Sequence, residues 1–553
     1  MSARHRRIPI SLAAVVSLLL LPACSGKSAN DNTDPNKLPG VNNNDVGTPV
    51  PGGIYRLAAV ADAPSLDPLK ESSVATHAAV GLVYSKLIDY KIGPDVPFGT
   101  NDLEGDLATS WDTSADGLTW TFHLRQGVKF QNIDPVNGRE FTSADVVCTM
   151  DAIKARGQQR GDISMINTWA APDKYTVTMK LGAPYPDLAY KFAGNFLWML
   201  PCEGTQEKFD LLTKAIGTGP FQITKWVKDR ERVYAKNPNY YVPGKPYMDG
   251  IDVVVIPDTT AQAAALRTKK LDAVATVQDL ASVQALAKSN PNIFVTKEMQ
   301  YAPFMVYMNQ AVKPFDDLRV RQAVSMAIDR EGMIANLRPG GKISGPVTPL
   351  VTGALAPDEV KSLQPFDPAK AKQLLAAAGV PNGFEVKMLV TNGYGDTVLR
   401  EAQWVQQDLE KVGIKVTLDT QDYVTYFTKS FAGKEYALGA GLQTPWLTAD
   451  DMLVSQYYSK GTRNWFNIND PTLDKMIFDA RSQTDATKRA TADKDISRYI
   501  IKNVSNPLNL YLYEAFVLYG GYMHGIHPQP EYGSRHLINV WMDKDAPGRS
   551  PSS

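Results

Sequence analysis

Residues 118–125, "LTWTFHLR", alternate Leu118, Trp120, Phe122 and Leu124 with Thr119, Thr121, His123 and Arg125. A period of two sends successive side chains to opposite faces, so the pattern predicts a half-buried strand with His123 on its exposed face. "DKYTVTMKL" at 173–181 predicts a second strand of the same kind. Between them, "FTSADVVCTMDAIK" changes period. Val146, Val147, Met150 and Ile153 recur at helical spacing, and Thr142 and Asp145 stand as in a capping box.

Further along, the same mixture repeats. "GIDVVVIPD" at 250–258 predicts a buried strand, and "TTAQAAALRTKKLDAV" after it a helix running into another strand. In "DPAKAKQLLAAAGV", Asp367 is placed to cap a helix, Pro368 to take its first position and Gly379 to end it. "FEVKMLV", "DTVLREAQWVQQDLEKVG" and "IKVTLDT" then read as strand, helix and strand over 384–420. This order predicts α/β lobes with largely parallel strand pairing. Gly217, Gly219 and Pro220 suit a tight turn aiming Phe221 and Trp226 at a core. From Asp316 to Ile328, Leu318, Val320, Val324, Ala327 and Ile328 share one side, which leaves Arg319, Arg321 and Arg330 outside as structural ion partners.

The N-terminus departs from this pattern. Arg4, Arg6 and Arg7 precede an uncharged apolar run, Ile8 to Leu21, that is too short for a permanent membrane span and reads as a secretory signal. It ends in "LLLLPACSG" at 18–26, where Leu21, Pro22, Ala23 and Cys24 resemble the lipobox of bacterial lipoproteins; Pro22 is the less usual residue there. That resemblance implies acylation of Cys24, making it the first residue of a mature, membrane-anchored chain on the extracytoplasmic face. Residues 24–51 are rich in Asn, Asp, Gly and Pro and cannot bury enough apolar surface to offset their ordering entropy, so they predict a disordered tether.

Charge and cysteine content narrow the classes. The chain carries 58 basic and 58 acidic residues, or 55 against 58 without the three leader arginines, so nothing suggests nucleic acid as a partner. Beyond Cys24 only Cys148 and Cys202 remain. An exported chain meets an oxidising compartment, which leaves a disulfide between them and two buried free thiols both open. No G-x-S-x-G or H-E-x-x-H occurs, and six histidines are few. His524 and His527, in "YMHGIHPQP", read as part of a surface turn rather than a metal or haem site. No catalytic set, metal or cofactor is expected.

Several stretches carry a resemblance that goes beyond periodicity. "PSLDPL" at 64–69, "LATSWDTSADGLTWTFHLRQGVKFQN" at 107–132, "FTSADVV" at 141–147, "APDKYTVTMKL" at 171–181, "IGTGPFQITKW" at 216–226, "NPNYY" at 237–241 and "MNQAVKPFDDLRVRQAVSMAIDRE" at 308–331 resemble the large extracytoplasmic solute-binding proteins of ABC importers, family 5. This branch contains the oligopeptide, dipeptide and nickel binders. The resemblance implies a two-lobed periplasmic-binding-protein-like fold of class II. Residues 52–308 would form lobe I, with an extra subdomain at 92–215. Residues 309–508 would form lobe II, and 509–553 would return to lobe I and the C-terminal tail. Two crossings, near 306–310 and 506–515, would make a hinge.

Function follows as an expectation: a monomeric, lipid-anchored protein capturing peptides, chiefly oligopeptides, by lobe closure and delivering them to an ABC permease. Alternatives are an oligosaccharide or other small-solute binder, a sensor or chaperone on the same scaffold, and a secreted hydrolase. Scarcity of histidine disfavours nickel or haem. For ligand contacts the resemblance points to Ser72 and Ser73, with helix capping the alternative. It also points to Asp450, or Asp451 in the other register, as partner of a peptide ammonium, although the usual Asp-x-x-Asp-Pro pattern is absent and a solvated helix start is equally open. Trp446 is placed to form a cleft wall or to pack in the core, and Arg463 to meet a carboxylate or stay solvated.

Overall fold

The computed structural model describes residues 47–277, 280–529 and 534–549. The signal segment, Cys24 and the tether up to residue 46 lie outside the described residues. Two large sheets organise the rest. The first has seven strands, in the order Ile293–Met299, Glu514–Gly520, Ala273–Val277, Ile54–Ala59, Gly250–Val255, Glu231–Lys236 and Phe221–Val227. The second has six: Lys342–Ile343, Leu508–Leu512, Phe304–Met308, Leu438–Leu442, Phe384–Thr391 and Ile414–Gln421.

Pairing is mixed, which corrects the expectation of largely parallel sheets. Ile54–Ala59 runs parallel to both its neighbours, and Phe384–Thr391 to both of its own; every other pair in the two sheets is antiparallel. Helical crossovers supply the parallel neighbours. Glu231–Lys236 and Glu514–Gly520 run against the other strands of the first sheet, and Phe304–Met308 and Lys342–Ile343 against the other strands of the second.

The chain passes from the first sheet to the second between Met299 and Phe304, and back between Leu512 and Glu514. Phe304–Met308 and Leu508–Leu512 are buried throughout and hydrogen-bonded to each other, so the two passages lie side by side. This two-lobed α/β arrangement leaves a space between the sheets.

A separate four-stranded sheet is ordered Ala108–Thr113, Thr119–Leu124, Thr176–Leu181 and Ile166–Asp173. In Thr119–Leu124 buried and part-exposed positions alternate as the sequence period requires, and His123 faces outward against Asp112 at 2.8 Å. Helix Ser143–Arg156 begins with the Thr142–Asp145 capping box, the Thr142 amide donating to Asp145 Oδ2 at 3.0 Å. Cys148, in that helix, is disulfide-bonded to Cys202. Among the described residues no helix is long and apolar enough to cross a membrane.

Two further expectations are corrected. Arg319 is outside and paired with Asp317, but Arg321 and Arg330 are buried. Arg321 donates to the carbonyls of Val504 and Phe315, at 2.7 and 2.8 Å, and Arg330 to the Ser325 carbonyl at 2.9 Å, so both bind backbone carbonyls instead of pairing with carboxylates. Nor does His524 sit in a surface turn. It is buried, stacks on Trp541 with ring centroids 3.9 Å apart, and lies 2.9 Å from Asp543.

Candidate binding cavity

Between the two sheets lies a cavity of about 460 Å³. Leu57 and Val253 reach it from the first sheet, and Met305 and Leu442 from the second, so it belongs to neither lobe alone. Aromatic side chains build much of one wall. Tyr423 stands 5.6 Å from Tyr394 and 5.9 Å from Phe427, whose ring meets Trp465 edge-on at 5.4 Å. Tyr423 and Phe427 come from 423–431, where the helix widens: the Ala432 amide reaches back five residues to the Phe427 carbonyl. Such widened turns recur at functional sites because they re-aim side chains.

Arg463 lies on the same wall. Its guanidinium sits over the rings of Phe196, Trp465 and Trp446, at 4.3, 5.2 and 5.6 Å. Nη1 donates to Thr444 Oγ1 at 2.6 Å, and Nη2 to the Ser72 carbonyl. A cation desolvated against aromatic faces is stabilised by ring quadrupoles as well as by its hydrogen bonds.

The structure brings only part of the expected set to this cavity. Ser72 contributes a backbone carbonyl to Arg463. Ser73 is fully buried and caps helix Val74–Val80, its Oγ accepting from the Thr76 amide at 3.2 Å; Val74, Ala75 and Ala78 of that helix line the cavity. Behind them His77 is locked neutral: Trp198 Nε1 donates to its Nδ1 at 2.9 Å, Nε2 meets the Glu71 carbonyl at 3.0 Å, and burial pushes its pKa down to about 3. Trp446 packs against Phe196, 5.7 Å between centroids, and is 3% exposed.

Asp450 and Asp451 are drawn into a buried ionic cluster away from the cavity. Tyr185 Oη donates to Asp450 Oδ2 at 2.5 Å, and Arg481 Nη2 reaches the same oxygen at 3.3 Å. Lys191 pairs with Asp451 and, at 3.0 Å, with Asp162. Burial alone would lower the Lys191 pKa, but the two carboxylates outweigh it and hold the ammonium charged. Arg489 meets Asp187 at 3.2 Å. Tyr185, Asp187 and Lys191 follow the four-stranded sheet's strand Thr176–Leu181, whereas Asp450, Asp451, Arg481 and Arg489 follow strand Leu438–Leu442 of the second sheet.

Sequence reasoning missed the aromatic wall. The available signal was the spacing of Tyr423, Tyr426, Phe427 and Phe431, which keeps four rings near one face of a helical turn.

The model of the bacterial extracellular solute-binding proteins, family 5 Middle, matches residues 102–465. The chain belongs to that family. Di/tripeptide-binding protein 1 of Pseudomonas aeruginosa is 28% identical over 457 residues, covering 77% of this chain and 82% of that protein. Heme-binding protein A of Haemophilus influenzae is 26% identical, covering 90% and 92%. The periplasmic binding protein DppA of Helicobacter pylori, solved with the peptide STSA, superposes with a TM-score of 0.79 at 26% identity, over 90% of this chain and 99% of that one. Family 5 members are solute-binding proteins rather than enzymes, and small-molecule sites occur preferentially in clefts between structural units.

Proposed function

We propose that this family 5 protein captures short peptides between its lobes for an ABC importer. The observation that carries the reading is the cavity of about 460 Å³ bounded by strands of both sheets, within the range of small-molecule sites. Its size favours peptides of a few residues over long oligopeptides. The peptide binders among its relatives support the solute class.

Capture proceeds by hinged closure. Residues 52–299 and the chain from 514 onward form one lobe, 304–512 the other, and the two adjacent passages at 299–304 and 512–514 carry the bending. A solute that touches both lobes only when they are closed shifts the population toward that form by its differential affinity. Acylation of Cys24 and the tether to residue 51 keep the trap beside the membrane, where the closed lobes meet a permease. Two acyl chains anchor firmly, at about 0.8 kcal/mol per buried methylene.

Native mass spectrometry of the freshly purified mature chain tests the reading. Peptides of two to five residues released on denaturation are the expected result. A single saccharide or a haem in their place overturns it.

A further inference from the structure

Three primary amides form a relay along the second sheet's side of the cavity. Gln443 and Gln456 both line it, and each is 3% exposed. Gln443 Nε2 donates to Gln456 Oε1 at 2.7 Å and to Asn509 Oδ1 at 3.0 Å. Asn509 Nδ2 donates in turn to the carbonyls of Gly345 and Pro346, both at 3.1 Å.

The relay has only one direction. Carbonyl oxygens accept and never donate, so Gly345 and Pro346 fix which end of the Asn509 amide is its NH2. Asn509 Oδ1 must then face Gln443, which must present its own NH2 and spends both hydrogens on two acceptors. Gln456 thus has its oxygen occupied, and no described residue takes its Nε2. Gln443 Oε1 is buried without a partner. A buried acceptor left unpaired costs about 1–3 kcal/mol, which a donor from an occupant would remove.

We infer that Gln456 is a specificity-determining residue that donates from Nε2 to a carbonyl oxygen of the solute, with Gln443 and Asn509 positioning it. Gln443 Oε1, on the same cavity-lining amide, takes a donor from the same solute. An amide carries both groups, C=O and N–H, side by side. The subsite therefore reads an uncharged peptide bond, not a peptide terminus. This inference rests on the peptide reading above and adds the solute group recognised.

The test uses the full mature chain, isothermal titration calorimetry, and two probes: Ala-Ala-Ala and its depsipeptide analogue with an ester in place of the second amide. The unmodified protein is expected to bind the tripeptide at least tenfold more tightly than the ester, since the ester lacks the N–H. Gln456→Leu and the near-isosteric Gln456→Glu, which keeps an acceptor for Gln443, are each expected to lose tenfold or more for the tripeptide. Equal affinity for amide and ester, or full tripeptide affinity in Gln456→Leu, overturns the inference and leaves the peptide reading standing. If the unmodified protein binds neither probe nor any other short peptide, the peptide reading falls and the inference with it. The two-probe comparison needs no variant, so a misfolded mutant does not blunt it.

Discussion

Arg481 Nε lies 3.1 Å from Oδ1 of Asp450, with both side chains almost fully shielded from water. The same carboxylate accepts from Tyr185, more than 260 residues earlier in the chain. An aspartate so engaged is joining two segments of the fold, and its charge is already matched.

Breaking that pair should therefore unsettle the fold before it alters recognition. Removing one partner of a buried ion pair leaves an uncompensated charge and costs about 3–5 kcal/mol. Arg481→Met is expected to destabilise by an amount in that range, measured by urea denaturation. Asp450→Asn keeps an acceptor for Tyr185 but leaves the buried Arg481 charge unmatched, so it should cost a similar amount, while changing tripeptide affinity by less than threefold. A loss of tenfold or more in a folded Asp450→Asn protein would return the residue to a ligand-binding role.

The disulfide should stabilise mainly by restricting the unfolded chain. Cys148 and Cys202 are 54 residues apart, and closing a loop of that length stabilises by about 4 kcal/mol in the chain-entropy account. The Cys148→Ser, Cys202→Ser double variant should lose about 2–4 kcal/mol, with the loss read by hydrogen exchange of 143–205.

Acid should favour one corner of the molecule. Burial, reinforced by the nearby Asp450 and Asp187 carboxylates, pushes Asp493 up to about 7, and burial together with Asp450 pushes Asp187 up to about 6. Both groups hold protons in the folded chain that the unfolded chain, titrating near 3.8, has released. Between pH 4 and 7 the folded state binds more protons, so this contribution to stability falls as pH rises and is lost above the folded values. Asp493→Asn should raise stability at pH 8, by on the order of 2–4 kcal/mol, and leave it nearly unchanged at pH 4. Denaturation midpoints across that range give the slope; an Asn variant with the parent's slope would contradict the shift.

Local structure was legible in the sequence wherever one face of an element decides its pattern. The alternation over 118–125 and the caps at Thr142 and Asp367 correspond to Thr119–Leu124, Ser143–Arg156 and Pro368–Ala377. Strand direction was not, because strand–helix–strand order says nothing about strands that arrive through a hairpin or a late return. Burial of Arg321 and Arg330 was hidden too: their partners are backbone carbonyls, up to 183 residues away. The cavity wall was harder still, since its aromatic residues also satisfy every rule for core packing and only the juxtaposition of two sheets leaves space beside them.

The turn at 217–220 shows how a sequence feature reaches the cavity through packing alone. The Gly219 amide donates to the Val83 carbonyl at 2.8 Å, and a Cβ on Gly219 would stand 2.7 Å from that carbonyl's carbon and oxygen. Backbone cannot swing aside as a side chain can, so the strain must move residues 80–84. Leu82 in that segment lines the cavity, and its carbonyl accepts from the Phe221 amide at 2.9 Å. Gly219→Ala should accordingly lose about 1–3 kcal/mol through overpacking and also weaken tripeptide binding severalfold. Gly244 offers the contrast: its φ is +73°, and a Cβ there would meet nothing within 4 Å. Gly244→Ala should cost about 1–2 kcal/mol of left-handed backbone strain with solute affinity intact. Equal affinity losses in the two variants, measured by calorimetry beside their denaturation curves, would mean that instability itself, and not displacement of Leu82, is what binding senses.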